Sequence, residues 1–284
     1  MIFERVFQQS DISRYVIIFF HSISGHHMLP SPCELNDDWF DCYYDDDNSY
    51  TYTLDEQVAH KLSFIQEYLP MNSKLILIGH SVGAYIIMEM MQRLAHTDRL
   101  LKAIFLFPTM ERITKTSKGW FWATLAGFVK WPLMVVAYAF NLLPYRLRKR
   151  VIEFVAYMKD FTDTENIPIS ILSFLTCRGI SNLLQISSDL KYIDGLDRHA
   201  PMINKNLDKM TFYYGTDDPW VPLEYSDELR SRFPDVDLKV CCEQIPHAFV
   251  LFRACEMGKK VWEWIEGSIV NYLTDTVKPL KTGT

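Results

Sequence analysis

Gly79-His80-Ser81-Val82-Gly83 sets a serine between two glycines, each two residues away. This G-x-S-x-G spacing suits a nucleophile on a sharp strand-to-helix turn. There the hydroxyl is pushed clear of the backbone, and the glycines let neighbouring chain pass where a Cβ would clash. A helix starting at Val82 would also aim the Val82 N–H and its positive dipole end at a developing oxyanion. A serine hydroxyl needs a base to take its proton, and that base needs a carboxylate to fix its tautomer. Beyond Ser81 the chain offers His96, His199 and His247. His96 closes the helix after the serine and is expected to point away, capping that helix. His199 lies in the loop Asp197-Arg198-His199-Ala200-Pro201, ahead of the last strands. His247, in Ile245-Pro246-His247-Ala248-Phe249, follows the final apolar strand and is the favoured base; a structural loop histidine is the alternative. For the acid, Tyr214-Gly215-Thr216-Asp217-Asp218-Pro219-Trp220-Val221-Pro222 offers two adjacent aspartates. Asp218 fits a G-x-x-D-x-x-V-P turn, and Asp217 is its competitor, capping the turn through its side chain.

Side chains this far apart in sequence meet only if strands deliver them to one edge. Apolar runs at 16–20, 74–78 (KLILI) and 102–107 (KAIFLF) read as buried strands. They alternate with helices expected over 55–69, where Leu54, Val58, Leu62, Ile65 and Leu69 recur every three or four residues, and over 82–96. The alternation lapses for about a hundred residues, then resumes. A strand is expected at 210–214, a helix near 224–233, a strand at 237–242 and a closing helix to about 273. This is the pattern of an α/β fold, a mostly parallel sheet covered by helices. The order Ser, Asp, His is that of the α/β-hydrolases. The core is then 1–108 plus 209–284, with a lid or cap insertion at 109–208.

With 49% hydrophobic and 14% aromatic residues in 284, the chain can bury a large core and is not intrinsically disordered. A net charge of −6 excludes a polyelectrolyte surface, so no nucleic-acid partner is expected. The six cysteines form no CxxC pair or Cys/His metal spacing, and read as packing thiols. The acidic stretch Asp37, Asp38, Asp41, Asp45, Asp46, Asp47 lacks the glycine and terminal glutamate of a calcium loop. No metal and no cofactor is implied. The opening residues do not follow the pattern of a secretory signal.

Within the insertion, 120–143 carries Lys130 as its sole charge, with Trp120, Phe121, Trp122, Phe128 and Trp131 crowding one end. Arg146, Arg148, Lys149 and Arg150 follow. Lys130 near the middle and Pro132 beside it argue against a simple membrane span. A lipid-surface element with tryptophan at headgroup depth is favoured, and lid helices packed on the core are the alternative.

Four stretches carry a resemblance to a known family: 77–85 around Ser81, Phe105-Leu106-Phe107-Pro108-Thr109-Met110-Glu111-Arg112, 211–220 around Asp218, and Ile245-Pro246-His247-Ala248-Phe249. Together with His60-Lys61-Leu62 they resemble the lipid droplet-associated hydrolases over most of the chain. The resemblance implies an α/β-hydrolase fold and serine hydrolysis of lipid esters, cholesteryl esters among them. It also implies residence on lipid droplets and the cytosolic face of the endoplasmic reticulum. The family's nucleophile, acid and base positions fall on Ser81, Asp218 and His247. The family's Pro-Gly-Asn-Pro-Gly loop, which would supply the second oxyanion-hole N–H, has no counterpart; the first glycine is Gly25. His21-Ser22-Ile23-Ser24-Gly25-His26-His27 looks like the family's next strand-loop, which makes 16–20 the fourth hydrolase strand and leaves the first three missing. In the rival register 16–20 is the third strand and Ser22 or Ile23 donates. A hole of one donor would lose about 10²–10³ in rate. A hydrolase-fold protein with weak or idle machinery, acting at the droplet surface, is therefore the alternative function.

Overall fold

The structure is a computed structural model, and it describes residues 15–20, 51–94, 97–160, 171–172, 175–193 and 195–277. Among the described residues five strands lie in one sheet: β1 (Tyr15–Phe20), β2 (Lys74–His80), β3 (Leu100–Leu106), β4 (Met210–Gly215) and β5 (Asp237–Cys241). The helices, in chain order, are α1 (Leu54–Tyr68), α2 (Val82–Arg93), α3 (Ser117–Asn141), α4 (Tyr145–Met158) and α5 (Cys177–Asp189). They continue with α6 (Ala200–Asn206), α7 (Glu224–Arg232), α8 (Phe249–Phe252) and α9 (Ala254–Val277). All strand pairs are parallel, and spatial order equals chain order, β1-β2-β3-β4-β5. Consequently the loops leaving β2, β3, β4 and β5 open at the same edge.

The apolar runs are continuous because both sheet faces are covered. Alternate residues point to opposite faces. Leu75, Leu77, Phe105, Phe212 and Tyr214 pack with Val58 and Ile65 of α1 and with Ile87 and Met88 of α2. Ile76, Ile78, Ile104, Leu106 and Tyr213 pack on the other face with Met257, Val261, Ile265 and Ile269 of α9. Helix α1 starts where it does because Thr53 and Glu56 form a capping box, each side chain bonding the other residue's backbone N–H.

β1 bonds directly to the serine-bearing strand β2, from Tyr15 opposite Lys74 to Phe20 opposite Gly79. The favoured register numbers 16–20 as the fourth hydrolase strand; among the described residues this strand is the immediate neighbour of the serine-bearing strand. Paired there, it covers the edge of β2, which a chain built without the first three strands would otherwise leave exposed. The loop from His21 lies outside the described residues, as do the acidic stretch at 37–47 and His96.

Between β3 and β4, α3 packs against α5 through Leu133, Met134 and Ala137 on one side and Ile180 and Leu184 on the other. Its opposite face carries Phe128 (79% exposed), Trp131 (73%), Val135, Tyr138 and Leu142 at helical spacing. Helix α4 also turns an apolar stripe outward, namely Leu147, Val151, Phe154, Val155 and Met158; within it Ile152 and Ala156 are buried. Sequence reading stops at the basic run 146–150 and misses this second stripe, because the charges dilute the local hydropathy. No helix among the described residues is long and apolar enough to cross a membrane.

Candidate active site

Ser81 ends the turn between β2 and α2 with φ 54° and ψ −123°, a conformation rarely adopted by L-residues. Three backbone hydrogen bonds hold it there. Ser81 N–H donates to Leu106 O (3.0 Å), and Ser81 O accepts from Ala84 N–H (3.0 Å) and Thr109 N–H (3.1 Å). The first glycine of the motif is explained by the crossing of helix over strand. A Cβ on Gly79 would lie 2.7 Å from Gly83 O and 2.8 Å from Ala84 Cα and N.

β4 and β5 bring the other two residues to the same place. His247 Nε2 is 3.0 Å from Ser81 Oγ, and His247 Nδ1 is 2.6 Å from Asp218 Oδ2. The second Asp218 oxygen, Oδ1, accepts from Trp220 N–H (2.8 Å) and Val221 N–H (3.2 Å), so the carboxylate is fixed by its own turn. Asp218 is buried and Asp217 exposed, which separates the two aspartates. His80 Nε2–H donates to His247 O (2.8 Å), and the His80, Phe107 and Trp220 rings surround the imidazole at 5.2, 5.8 and 6.1 Å. This enclosure limits imidazole rotation and keeps bulk water from its flanks.

Thr109 is a residue that sequence reading does not single out. Its hydroxyl lies 3.3 Å from Ser81 Oγ. Phe107, at φ 46°, and Pro108 turn the chain after β3 so that Thr109 faces the elbow. The signal available in sequence is its position just past a buried strand adjacent to the serine strand.

His199 is placed elsewhere. Its Nε2 is 2.8 Å from Oε1 of buried Glu89, and its ring meets Tyr85 edge-on at 6.1 Å. Glu89 also takes Arg93 (3.0 Å) and Arg198. Burial, aided by the Arg198 guanidinium, pushes His199 down to about 4. With Glu89 already paired to two guanidiniums, a neutral His199 donates Nε2–H to its carboxylate, and the buried Nδ1 is left without a hydrogen-bond partner among the described residues. Just past β3, burial raises the Glu111 carboxyl against the opposing pull of Arg112. No group of acidic, cysteine or histidine side chains among the described residues is arranged to hold a metal.

A parallel sheet wrapped by helices, with its serine on a strained strand-to-helix turn, defines the α/β-hydrolase fold. Solved structures agree on the fold: an α/β-hydrolase from a Medee basin deep-sea metagenome library aligns with TM-score 0.56 at 12% identity, covering 92% of this chain and 91% of that one. A carboxylesterase structure from Nitrososphaera gargenis aligns at 0.51 and 16% identity, over 79% and 74%. Within this fold the chain belongs to the lipid droplet-associated hydrolase family, whose profile matches residues 5–250. The chicken (Gallus gallus) lipid droplet-associated hydrolase is 32% identical over 87% of this chain and 74% of its own length. The Drosophila melanogaster protein of that name is 32% identical over 77% and 71%, and the human protein 31% over 74% and 63%.

Proposed function

We propose that this chain is a serine hydrolase that cleaves esters of neutral lipids, of the cholesteryl ester kind, through an acyl-enzyme. The observation that carries this reading is the unbroken hydrogen-bond chain from Asp218 through His247 to Ser81. Ser81 Oγ attacks the ester carbonyl carbon while His247 Nε2 takes its proton. His247 then returns the proton to the departing alcohol, and Asp218 holds the imidazole in the required tautomer. The Val82 N–H, freed at the start of α2, receives the oxyanion. Water repeats the sequence to release the acid. Residues 109–208 act as the lid, and the outward stripes of α3 and α4 rest on lipid, with Arg146 and Arg150 beside anionic headgroups. The family's name supports lipid droplets as the place of work; the cytosolic face of the endoplasmic reticulum offers the same kind of surface.

The second oxyanion donor, Ser22 or Ile23 in the rival register, lies outside the described residues. That keeps one other reading in view, a droplet-surface protein whose machinery is idle. Reacting the purified protein with a fluorophosphonate and mapping the adduct separates the two. The expected result is labelling at Ser81 that disappears in His247→Ala, together with ester cleavage abolished by Ser81→Ala while droplet binding persists. A folded wild-type protein that takes no label would sink the enzymatic reading in favour of the surface role.

A further inference from the structure

Thr109 holds Ser81 at two points, its N–H on the Ser81 carbonyl (3.1 Å) and its hydroxyl beside Ser81 Oγ (3.3 Å). The direction of the second bond follows from the chain it joins. An ionised carboxylate only accepts, so with Asp218 Oδ2 at 2.6 Å the His247 Nδ1 carries the proton. A neutral imidazole protonated at Nδ1 has a lone pair at Nε2, so the Ser81 hydroxyl donates to it. Thr109 is 3% exposed, and Ser81 Oγ is the one hydrogen-bond partner of its hydroxyl among the described residues. Leaving a buried hydroxyl proton unpaired is costly, so Thr109 donates to the Ser81 oxygen.

From this geometry, and resting on the hydrolase reading above, we infer that Thr109 is a catalytic donor that acts on Ser81 Oγ as the leaving group of deacylation. In that step water adds to the acyl carbonyl carbon and His247 takes the water's proton. The tetrahedral intermediate then breaks the C–Oγ bond, the electron pair goes to Oγ, and His247 delivers the proton to it. Thr109 keeps its own proton throughout. Its hydrogen bond strengthens as charge collects on Oγ, which favours expulsion of the serine. In the opposite direction a donor on Oγ holds back the electron pair that must attack, so it gives the acylation step no help. A merely structural threonine would affect both steps alike.

The test compares wild type, Thr109→Val and Thr109→Ser as full chains. Attack is read as the rate of fluorophosphonate labelling at Ser81. Deacylation is read as decay of the butyryl adduct formed from p-nitrophenyl butyrate, followed by mass spectrometry of quenched protein. In Thr109→Val, labelling is expected to stay within about twofold of wild type or to quicken, while adduct decay slows about tenfold, the effect of one hydrogen bond to a charged oxygen. Thr109→Ser restores the hydroxyl and most of the lost rate. Both rates falling together, or adduct decay unchanged, overturns the inference; Thr109→Ala serves if the valine variant does not fold. The ring 15N signals of His247 supply a readout that needs no turnover. The Nε2 signal is expected at the same place in wild type and Thr109→Val. A shift would show that the Ser81 proton had pointed at Thr109, and would overturn the assigned direction. Absence of any Ser81 label in wild type refutes the hydrolase reading itself and leaves the 15N comparison to decide the hydrogen bond.

Discussion

Asp218 accepts three hydrogen bonds, and their arrangement dictates what its replacement does. In Asp218→Asn the amide oxygen stays on the Trp220 and Val221 N–H groups, which turns the NH₂ toward His247. Nδ1 must then accept, the ring proton moves to Nε2, and the lone pair that should face Ser81 is lost. Ester turnover is expected to fall roughly 10³–10⁴-fold with the fold intact. Asp217→Asn, at an exposed position, is expected to stay within about twofold, and steady-state assays of the two variants check the contrast. Ser81, Asp218 and His247, which the structure brings into one hydrogen-bond chain, could be proposed from sequence because each sits in turn chemistry with a fixed spacing: glycines around Ser81, a Gly-initiated Asx turn, and a loop just past a strand. Thr109 was not. A threonine after a strand has no spacing partner in sequence, and what matters about it is a contact across 28 residues.

At the scale of elements, strands were easier to read than what surrounds them. Continuous β-branched and aromatic runs force burial on both faces, so the strands expected at 16–20, 74–78 and 210–214 fall on β1, β2 and β4. Neighbour relations are another matter: an apolar run states that it is buried but not against which strand, and the place of β1 beside β2 emerges only from the pairing. The segment between β3 and β4 was legible as apolar but not as two outward stripes, since one helix of the pair mixes arginine with its leucine and phenylalanine. Exposed Phe128 and Trp131 lie one turn apart on α3, on the face away from α5. Burying two such side chains in lipid contributes about 3–5 kcal/mol. Phe128→Ser combined with Trp131→Ser is therefore expected to weaken flotation with triglyceride emulsions by at least about tenfold. Cleavage of a water-soluble ester should be nearly unchanged. Unaltered flotation would remove α3 from the lipid-contacting surface.

For the whole molecule, strand order is the device that assembles the site. Because β2, β3, β4 and β5 run parallel in chain order, Ser81, Thr109, Asp218 and His247 leave successive strands at one edge, each beside the next. The same economy places Glu89 of α2, the helix that follows Ser81, against Arg198 and His199 ahead of β4. This buried cluster ties α2 to the chain that leads into α6 and β4, and it makes stability depend on acid. His199 lies at about 4 in the folded protein against an ordinary value of 6.5. Between those values the unfolded chain binds a proton that the folded chain refuses. The contribution is therefore fully present above about pH 6.5 and is lost as pH falls toward 4. Replacing His199 with glutamine keeps an N–H donor for Glu89 but removes the titrating group. The drop in urea midpoint between pH 7 and pH 4.5 should accordingly be smaller in His199→Gln than in wild type. Parallel drops in the two proteins would mean that other groups, and not this buried imidazole, set the acid sensitivity of the fold.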